Sequence, residues 1–508
     1  MKSSYVSSFI ISTGKSSLTF FIILFLINKN GYSQITDTGY ESIQADKLIS
    51  TVRILCSEEF DGRLPGSEGY NKAAKFAAEM FEQEGIIPAG DEKYFQYLNV
   101  EYNQIDTPVV FKAVVAKELY FFQHGKDYVF RGFTGSGNLN LPVVFCGYGI
   151  SRPDLGYDDY HDIDVTNKVV LVFKQNPSWK INDQQWGNEN PREKSQVAFK
   201  HGAKGILFVS RPNDSKPQPL IGSVLHGDGD QLEDFPQLHV SIDLANDLLT
   251  GTGVSINECQ SKIDSNKAQF SFHTESKVDI KVKANYEKNA KTMNVVGLIE
   301  GTDPELKEEY LIIGAHLDHV GSQAGLLFPG ANDNASGSAG VLQLAEAFMK
   351  SELKPKRNIL FVLFASEEQG LLGSKFFVEN LNLPAGKAGI DTSKIIAMLN
   401  LDCIGYGDSI QVGNGKSSPE LWKLADEIDR TNSNLMVNDT WSGGGADLTP
   451  FYEKNIPGLY FVSRYSYDHL HLPTDLPETF NLSLYKSIVK LVYLTARKIA
   501  DGNYLREK

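Results

Sequence analysis

The chain has 508 residues, 41% of them hydrophobic, which is enough for two or more folded units with substantial cores. Its 49 basic and 63 acidic residues give a formal net charge of −14. Such an acidic surface repels nucleic acid and anionic membranes, so we expect neither as a partner. The four cysteines show no C-x-x-C spacing, which indicates neither a zinc knuckle nor a dense disulfide framework: Cys56, Cys146, Cys259 and Cys403. We expect buried thiols, with a single disulfide as the alternative.

The N-terminus has the pattern of an export signal. Lys2 and Lys15 precede an apolar run over residues 18–27, and residues 31–33 offer small side chains for cleavage. The run is shorter than the roughly 20 apolar residues that a membrane span needs, although an uncleaved signal-anchor remains the alternative. We predict residues 1–33 to be a signal peptide. The mature protein is then exported, to the periplasm or out of the cell, and has no membrane segment.

Residues 34–118 are predicted to form the N-terminal part of the main domain. The pattern over residues 46–85 predicts a helix, a Gly-rich turn and a second, amphipathic helix, in which apolar residues recur at helical spacing. The turn contains Asp61 and Arg63. Their side chains either shape the rim of a pocket or, as we favour, stabilise the turn itself.

Residues 119–274 have a different sequence pattern, in which short runs rich in β-forming residues are separated by Pro, Asn, Asp and Gly. This pattern predicts an inserted β-rich domain. Strands are expected near 142–149, 168–173 and 205–210, with one convincing helix near 194–201. The histidines of this segment show no metal-ligand spacing, and we expect ordinary surface or loop histidines: His161, His201, His226 and His239.

Residues 275–508 alternate between predicted strands and helices, which indicates an α/β fold with a largely parallel mixed sheet and helices on both faces. Apolar runs at 310–315, 359–365 and 395–401 predict three buried strands. Each strand is followed by metal-binding side chains: His316 and Asp318, then Glu367 and Glu368, then Asp402. In open α/β sheets ligands bind beyond the carboxyl ends of the strands, so these side chains should meet at one edge.

Imidazole and carboxylate groups are zinc ligands, and two neighbouring zinc ions need a bridging carboxylate. Asp333 is a candidate ligand in a turn that opens a predicted helix over 336–349, where an N-cap is its alternative role. His471 completes the set, with His469 as a rival two residues earlier. Glu367 and Glu368 point in different directions if they end a strand. One can then bind metal while the other acts as general base on a bound water.

Five motifs of this chain resemble, in order, those of the co-catalytic zinc exopeptidases, which include secreted bacterial aminopeptidases and glutamate carboxypeptidase, and whose fold the non-catalytic transferrin receptor shares. They are H-L-D at 316–318, G-A-N-D-N-A-S-G at 330–337, S-E-E-Q-G at 366–370, N-L-D at 400–402 and H-L-P-T-D at 471–475. The resemblance covers essentially the whole mature chain. It includes the insertion, whose G-Y-G at 147–149 and Y-D-D-Y at 157–160 resemble a protease-associated domain.

The resemblance implies a site with two Zn²⁺ ions. His316 and Asp402 bind one ion, Glu368 and His471 bind the other, and Asp333 bridges them. Two further residues are implied to be catalytic: Glu367 as general base, and Asp318 as the residue that orients the His316 ligand. The function implied is an exported di-zinc aminopeptidase that hydrolyses N-terminal residues from peptides.

Two departures from the family pattern affect the substrate side of the site. The family commonly has a tyrosine directly before the last histidine ligand, as a donor to the developing oxyanion, whereas this chain has Leu470. Tyr465 and Tyr467 are the candidates to replace that donor. Leu448 stands where many members have a histidine.

Other functions remain open within this fold. A carboxypeptidase or dipeptidase has the same metal ligands but needs a cation for the terminal carboxylate, for which Arg464 is a candidate. A glutaminyl cyclase uses one zinc, and a receptor of this architecture lacks ligands. Both are disfavoured because both ligand sets are present. The sequence gives neither the side-chain preference nor the oligomeric state.

Overall fold

The computed structural model describes residues 37–187, 190–227, 230–381 and 389–506. The predicted signal peptide at 1–33 therefore lies outside the described residues. Across the described ranges, the structure contains no helix with the length and apolar character needed to cross a membrane. All four cysteines are free thiols, and three of them are buried: Cys146, Cys259 and Cys403.

Helices and strands alternate along the chain. The α-helices are α1 (Thr38–Ser42), α2 (Ala45–Leu55), α3 (Glu68–Gln83), α4 (Pro191–Lys200), α5 (Ile242–Leu248), α6 (Ile256–Asn266), α7 (Ser336–Lys350), α8 (Leu372–Glu379), α9 (Pro419–Thr431), α10 (Thr449–Glu453) and α11 (Leu482–Ala500). The strands are β1 (Ile87–Pro88), β2 (Phe95–Val115), β3 (Glu118–Phe121), β4 (Tyr128–Phe130), β5 (Gly137–Cys146), β6 (Ser151–Arg152), β7 (Tyr157–Asp158), β8 (Val169–Phe173), β9 (Gly205–Val209), β10 (Gln237–Val240), β11 (Ser271–Ile299), β12 (Tyr310–His316), β13 (Ser322–Gln323), β14 (Leu326–Leu327), β15 (Asn358–Phe364), β16 (Ile395–Leu401), β17 (Ile410–Gly413) and β18 (Gly458–Ser463).

One mixed sheet runs through both parts of the fold, in the order β17-β18-β16-β12-β15-β11-β5-β8-β9-β10-β4. Strands β18, β16, β12 and β15 are parallel neighbours, and so are β5, β8, β9 and β10. The long strand β11 joins the two groups, because it pairs antiparallel with β15 at one end and with β5 at the other. The sheet is therefore continuous from the inserted segment to the strands that carry the candidate site.

The three predicted strands of the α/β part are β12, β15 and β16, and their side chains alternate between two apolar cores. On β12, Leu311 and Ile313 face the core that α2, α3, α7 and α11 cover, whereas Ile312 faces the core beneath α8 and α10. Since both faces of the sheet are covered, these strands are apolar at every position. The predicted α/β sheet with helices on both faces is confirmed.

The segment 119–274 packs around two apolar clusters, built on strands β4, β5 and β8 to β10, and the larger cluster also includes residues of β2 and β11. The segment contains α5 and α6 in addition to α4, the expected helix. The sequence therefore predicted too few helices in this segment. A local signal was present, because Ser255 and Glu258 form a capping box at the start of α6. His239 was also misjudged: it lies fully buried in β10, where Nε2 is 2.9 Å from the hydroxyl of Ser210.

Candidate metal centre

The carboxyl ends of β12, β15 and β16 bring the predicted side chains to one edge of the sheet. His316 is the last residue of β12, Glu367 and Glu368 follow β15, and Asp402 follows β16 directly. Because the three strands are parallel neighbours, their ends lie side by side. His316 and Asp402 are almost fully buried, so the edge forms the floor of a site.

Asp333 reaches this edge from the turn at Ala331–Ala335, which precedes α7. The turn is anchored by Asp475, whose carboxylate accepts the backbone N–H groups of Asn332 at 2.8 Å and Asp333 at 3.0 Å. The Asp333 side chain makes no capping bond to α7 and faces the histidines instead. The N-cap alternative for this residue is therefore not what the structure shows.

Asp333 places one carboxylate oxygen at each of two clusters. Its Oδ1 lies 3.4 Å from Nε2 of His316, and that nitrogen is also 3.4 Å from Oδ1 of Asp402. Its Oδ2 lies 3.1 Å from Nε2 of His471, which is 2.9 Å from Oε2 of Glu368. The structure thus brings the five predicted ligand side chains together, with Asp333 between the two groups. His469 lies outside both clusters and hydrogen-bonds to Thr474 at 3.0 Å.

The spacing of these donor atoms fits zinc. Bonds of about 2.0–2.1 Å to a tetrahedral ion place neighbouring ligand atoms roughly 3.3 Å apart, and the separations here run from 2.9 to 3.4 Å. Oδ1 of Asp402 is buried and has no hydrogen-bond partner among the described residues. A buried carboxylate oxygen without a hydrogen-bond partner is costly, and a bound cation would offset that cost. The donor set, imidazole and carboxylate, is one that zinc prefers.

His319 is a member of the cluster that the sequence analysis missed. It is fully buried, and its Nδ1 lies 3.0 Å from Oε1 of Glu368 and 3.8 Å from Oδ2 of Asp333. Its ring packs edge-on against that of His471, with centroids 5.4 Å apart. The available signal was its place three residues after His316, close enough for a short loop to return it to the same edge.

Asp318 organises the site from beneath. Its carboxylate accepts the backbone N–H of Glu367 at 3.1 Å and that of Glu368 at 3.3 Å, so one buried acid fixes both glutamates. Nδ1–H of His316 donates to the Asp318 carbonyl oxygen at 3.2 Å. This bond selects the tautomer whose Nε2 lone pair faces Asp333 and Asp402. Burial raises the pKa of the Asp318 carboxyl to about 7.

The two adjacent glutamates differ in their electrostatic surroundings. Burial, reinforced by the nearby acids Asp447 and Glu368, raises the pKa of Glu367 well above its ordinary value, although His316 opposes the shift. Burial acts in the same direction on Glu368, but the neighbouring His471 and His319 outweigh it and lower its pKa to about 2. Glu367 therefore holds a proton readily while Glu368 stays ionised. Neighbouring groups whose pKa values diverge in this way suit different roles.

Tyr467 is the better placed of the two candidate tyrosines. The hydroxyl of Tyr460 donates to Oδ2 of Asp402 at 3.0 Å, and the Tyr467 hydroxyl lies 3.3 Å from that of Tyr460. Because the single proton of Tyr460 is engaged by Asp402, Tyr467 must be the donor in the second bond. The Tyr465 ring instead packs against the Arg464 guanidinium, whose central carbon lies 5.1 Å from the ring centroid.

The N-terminal turn supports the site and does not line it. Arg63 is fully buried and donates to four backbone carbonyl oxygens, those of Leu55, Leu317, Pro329 and Gly330, at 2.6–2.9 Å. Three of these carbonyls, those of Leu317, Pro329 and Gly330, lie in the loops next to His316 and Asp333. The structural role favoured for this turn therefore matches its contacts. Leu448 is also fully buried and packs in the core beneath α8 and α10.

The fold and this cluster of buried acids and histidines suit a metallopeptidase, because the two groups of side chains could each hold a metal ion. Residues 294–496 match the model of Peptidase family M28. The resemblance to the co-catalytic zinc exopeptidases is thereby confirmed. The matched range contains every strand, turn and loop that contributes a side chain to the two clusters.

Known proteins resemble this chain to different extents. Leupeptin-inactivating enzyme 1 of Streptomyces exfoliatus is 33% identical over 184 residues, which cover 34% of this chain and 36% of that protein. The chain thus aligns with about a third of the length of that relative. A Glutamate carboxypeptidase 2 homolog of Caenorhabditis elegans is 22% identical, with 91% of this chain and 69% of that protein covered. BSAP, a zinc aminopeptidase from Bacillus subtilis, shares the fold with a TM-score of 0.60 at 17% identity, over 91% of this chain and 96% of that chain.

Proposed function

We propose that this chain is an exported di-zinc aminopeptidase that removes N-terminal residues from peptides. The observation that carries the proposal is the position of Asp333, whose two oxygens face two separate histidine–acid pairs. A carboxylate that contacts two ligand sets is the bridge that a two-metal site requires. A one-zinc cyclase needs only one of these sets, and a receptor without catalysis needs neither.

The proposed ligands follow from the two clusters. His316 and Asp402 would hold one zinc and Glu368 and His471 the other, and Asp333 lies within reach of both groups. Zinc bound here supplies a Lewis acid that lowers the pKa of a bound water and polarises the scissile carbonyl group. His319 and Asp318 hold the acidic ligands and the His316 ring in place through hydrogen bonds.

Glu367 is the proposed general base. It lies three residues after the end of β15, its backbone N–H is held by Asp318, and its side chain is not among the proposed ligands. It takes the proton from the attacking water and returns it to the leaving amine. Its carboxylate can hold this proton between the two steps.

Tyr467 is proposed to replace the oxyanion donor that Leu470 cannot provide. Its hydroxyl lies beside the Tyr460–Asp402 pair, while its side chain is 54% exposed and so remains accessible from the cleft. A phenolic O–H that is shared weakly at 3.3 Å can rotate toward a developing negative charge. The donor thus comes from four residues before His471 and not from the adjacent position.

We favour an aminopeptidase over a carboxypeptidase because of the charged groups in the site. Beyond the three acidic ligands, the site holds Glu367 and, near it, the buried Asp447, and such additional carboxylates suit a free α-ammonium group. Arg464, which the sequence offered for a terminal carboxylate, is exposed and rests against Tyr465. We further propose that residues 1–33 are a signal peptide and that residues 119–274 are a protease-associated domain between the two parts of the peptidase, 34–118 and 275–508.

The deciding experiment is hydrolysis of a panel of short peptides, with and without N-acetylation, by the mature protein before and after chelation and restoration of zinc. Zinc-dependent cleavage of only the free-amine peptides supports the proposal. Equal cleavage of the acetylated peptides indicates a carboxypeptidase. Absence of cleavage in both sets contradicts the peptidase function and favours a cyclase or a binding protein instead. Zinc content per chain, measured on the same samples, tests the expected two ions.

A further inference from the structure

A short segment of the inserted part, residues 220–224, lies against the metal centre. The backbone N–H of Gly222 donates to the carbonyl oxygen of His471 at 2.8 Å. The next residue, Ser223, accepts a hydrogen bond at 3.0 Å from the Gln323 side chain, which lies in the loop that follows His319. The segment therefore touches both loops that deliver histidines to the Glu368 side of the site.

Apolar packing fixes the segment in this position. Val129 and Val224 of the insertion form one buried cluster with Val320 and Phe328 of the peptidase part. A Cβ atom on Gly222 would lie 2.7 Å from Cγ2 of Val320 and 3.0 Å from the Phe328 ring. Only glycine lets the backbone at position 222 pack this closely against the Val320 and Phe328 side chains. A side chain at this position would push that backbone outward, and with it the N–H group that binds His471.

His471 needs such support because of its own backbone. Its φ angle is +55°, in the left-handed region that residues with a side chain rarely adopt. This conformation is strained and persists only where the surroundings hold it. The carbonyl of the same residue is the group that Gly222 binds. The ring of His471 meanwhile points at Asp333 and Glu368.

We propose that the inserted segment is a structural part of the metal centre, with Gly222 as the positioning residue that holds His471 in its ligating conformation. The inference rests on the proposed role of His471 as a zinc ligand. It assigns the insertion a role within the site, beyond covering the cleft or recruiting peptides. Since a contact that favours metal binding must itself be favoured by the metal, zinc should stabilise the Gly222–His471 contact in return.

Hydrogen exchange of the full mature protein, metal-free and loaded with zinc, tests this reciprocity. Zinc is expected to slow exchange in two regions, the peptide that spans 217–225 and the peptides around Glu368. Slower exchange around Glu368 with an unchanged 217–225 peptide would overturn the inference while leaving the metal site intact. No change in either region would instead contradict the proposed metal site itself.

Substitution gives the second arm of the test. G222A is expected to lower the affinity for one zinc by about 10-fold or more, as the loss of a supporting contact commonly does. The matched control is V144A, which opens a cavity in the core of the insertion, away from His471. Adding V320A to G222A removes the atom nearest the new methyl group and should restore part of the affinity. Equal zinc affinities for G222A and the wild type, or an equal loss in V144A, would overturn the inference.

Discussion

Nδ1–H of His319 donates to Oε1 of Glu368 at 3.0 Å, while Oε2 of the same carboxylate faces His471 at 2.9 Å. Because an ionised carboxylate accepts hydrogen bonds and donates none, His319 must be the donor. One oxygen of Glu368 is thus held by the protein and the other is left for a metal. Supporting partners of this kind commonly set the orientation of a ligand.

His319 variants should separate hydrogen bonding from ligation. H319L removes the donor and is expected to lower zinc affinity about 10- to 100-fold, the usual effect of losing such a partner. H319N keeps an N–H at a position similar to Nδ1 and should retain most of the affinity. Competition with a chromophoric chelator measures both. Equal losses in the two variants would show that the imidazole itself binds metal.

Glu367 variants test the general base. E367A is expected to keep two bound zinc ions, because Glu367 is not among the proposed ligands, and to lose about 10²–10⁴-fold in kcat. Zinc content and peptide hydrolysis are measured on the same preparation. E368A is the matched comparison, since it should lose metal as well as activity. Unchanged turnover in E367A would assign the base elsewhere.

Asp333 variants test the bridge. D333A removes a carboxylate oxygen from each of the two clusters, so both zinc ions should bind more weakly. D402A, by contrast, removes a ligand from the His316 cluster alone and should leave one ion tightly bound. Zinc content after dialysis at a fixed free zinc concentration distinguishes the two variants. Two tightly retained ions in D333A would contradict a bridging role.

Tyr467 variants test the oxyanion donor. Y467F removes only the phenolic O–H and should lower kcat about 10²-fold or more, the usual result of deleting one such donor. The KM and the zinc content should change little, because the group acts on the transition state. Y465F is the matched control, since that ring is exposed and rests against Arg464. An equal loss of kcat in Y467F and Y465F would contradict the assignment of Tyr467 as the oxyanion donor.

The sequence predicted the floor of the site because long apolar runs identify strands that are buried on both faces. The run at 395–401 coincides with β16, and those that end before His316 and Glu367 agree with β12 and β15 to within a residue. Placing side chains at the ends of parallel strands then follows from general topology. Ligands that lie in loops were harder to predict. For Asp333, the sequence was equally compatible with a role as a helix cap.

The features that the sequence did not reveal depend on distant contacts. His319 sits in a loop that returns to the site, and no periodicity marks that return. The continuous sheet arises because the long strand β11 pairs with β15 at one end and with β5 at the other, through partners far apart in the sequence, such as Val278 and Leu141. The contact of Gly222 with His471 likewise leaves no pattern in the neighbouring sequence. Such features depend on how distant elements pack together, and local sequence patterns do not predict that packing.

The contact between β2 and the insertion should make stability depend on pH. Arg192 of α4 binds Glu101 of β2 through two bonds, of 3.0 and 3.2 Å, and the Tyr286 hydroxyl donates to the same carboxylate at 2.6 Å. Burial alone would raise the pKa of Glu101, but Arg192 and Tyr286 outweigh it and hold the pKa below its ordinary 4.5. The ionised form is therefore the one that the folded state stabilises.

For a carboxyl group whose pKa is lower in the folded state, the stabilisation is complete above the unfolded pKa and is lost as the pH falls through the folded one. E101Q should thus lower the free energy of unfolding at pH 7 by about 1.5–3 kcal/mol, the range for bonds to a charged group. The difference from the wild type should shrink as the pH falls below 4.5, where Glu101 begins to be protonated. Urea unfolding at a series of pH values measures it. D154N, which breaks an exposed pair with Arg152, is the control and should show no comparable change. A difference between E101Q and the wild type that stays constant down to pH 3 would mean that packing, and not the charge of Glu101, carries the contact.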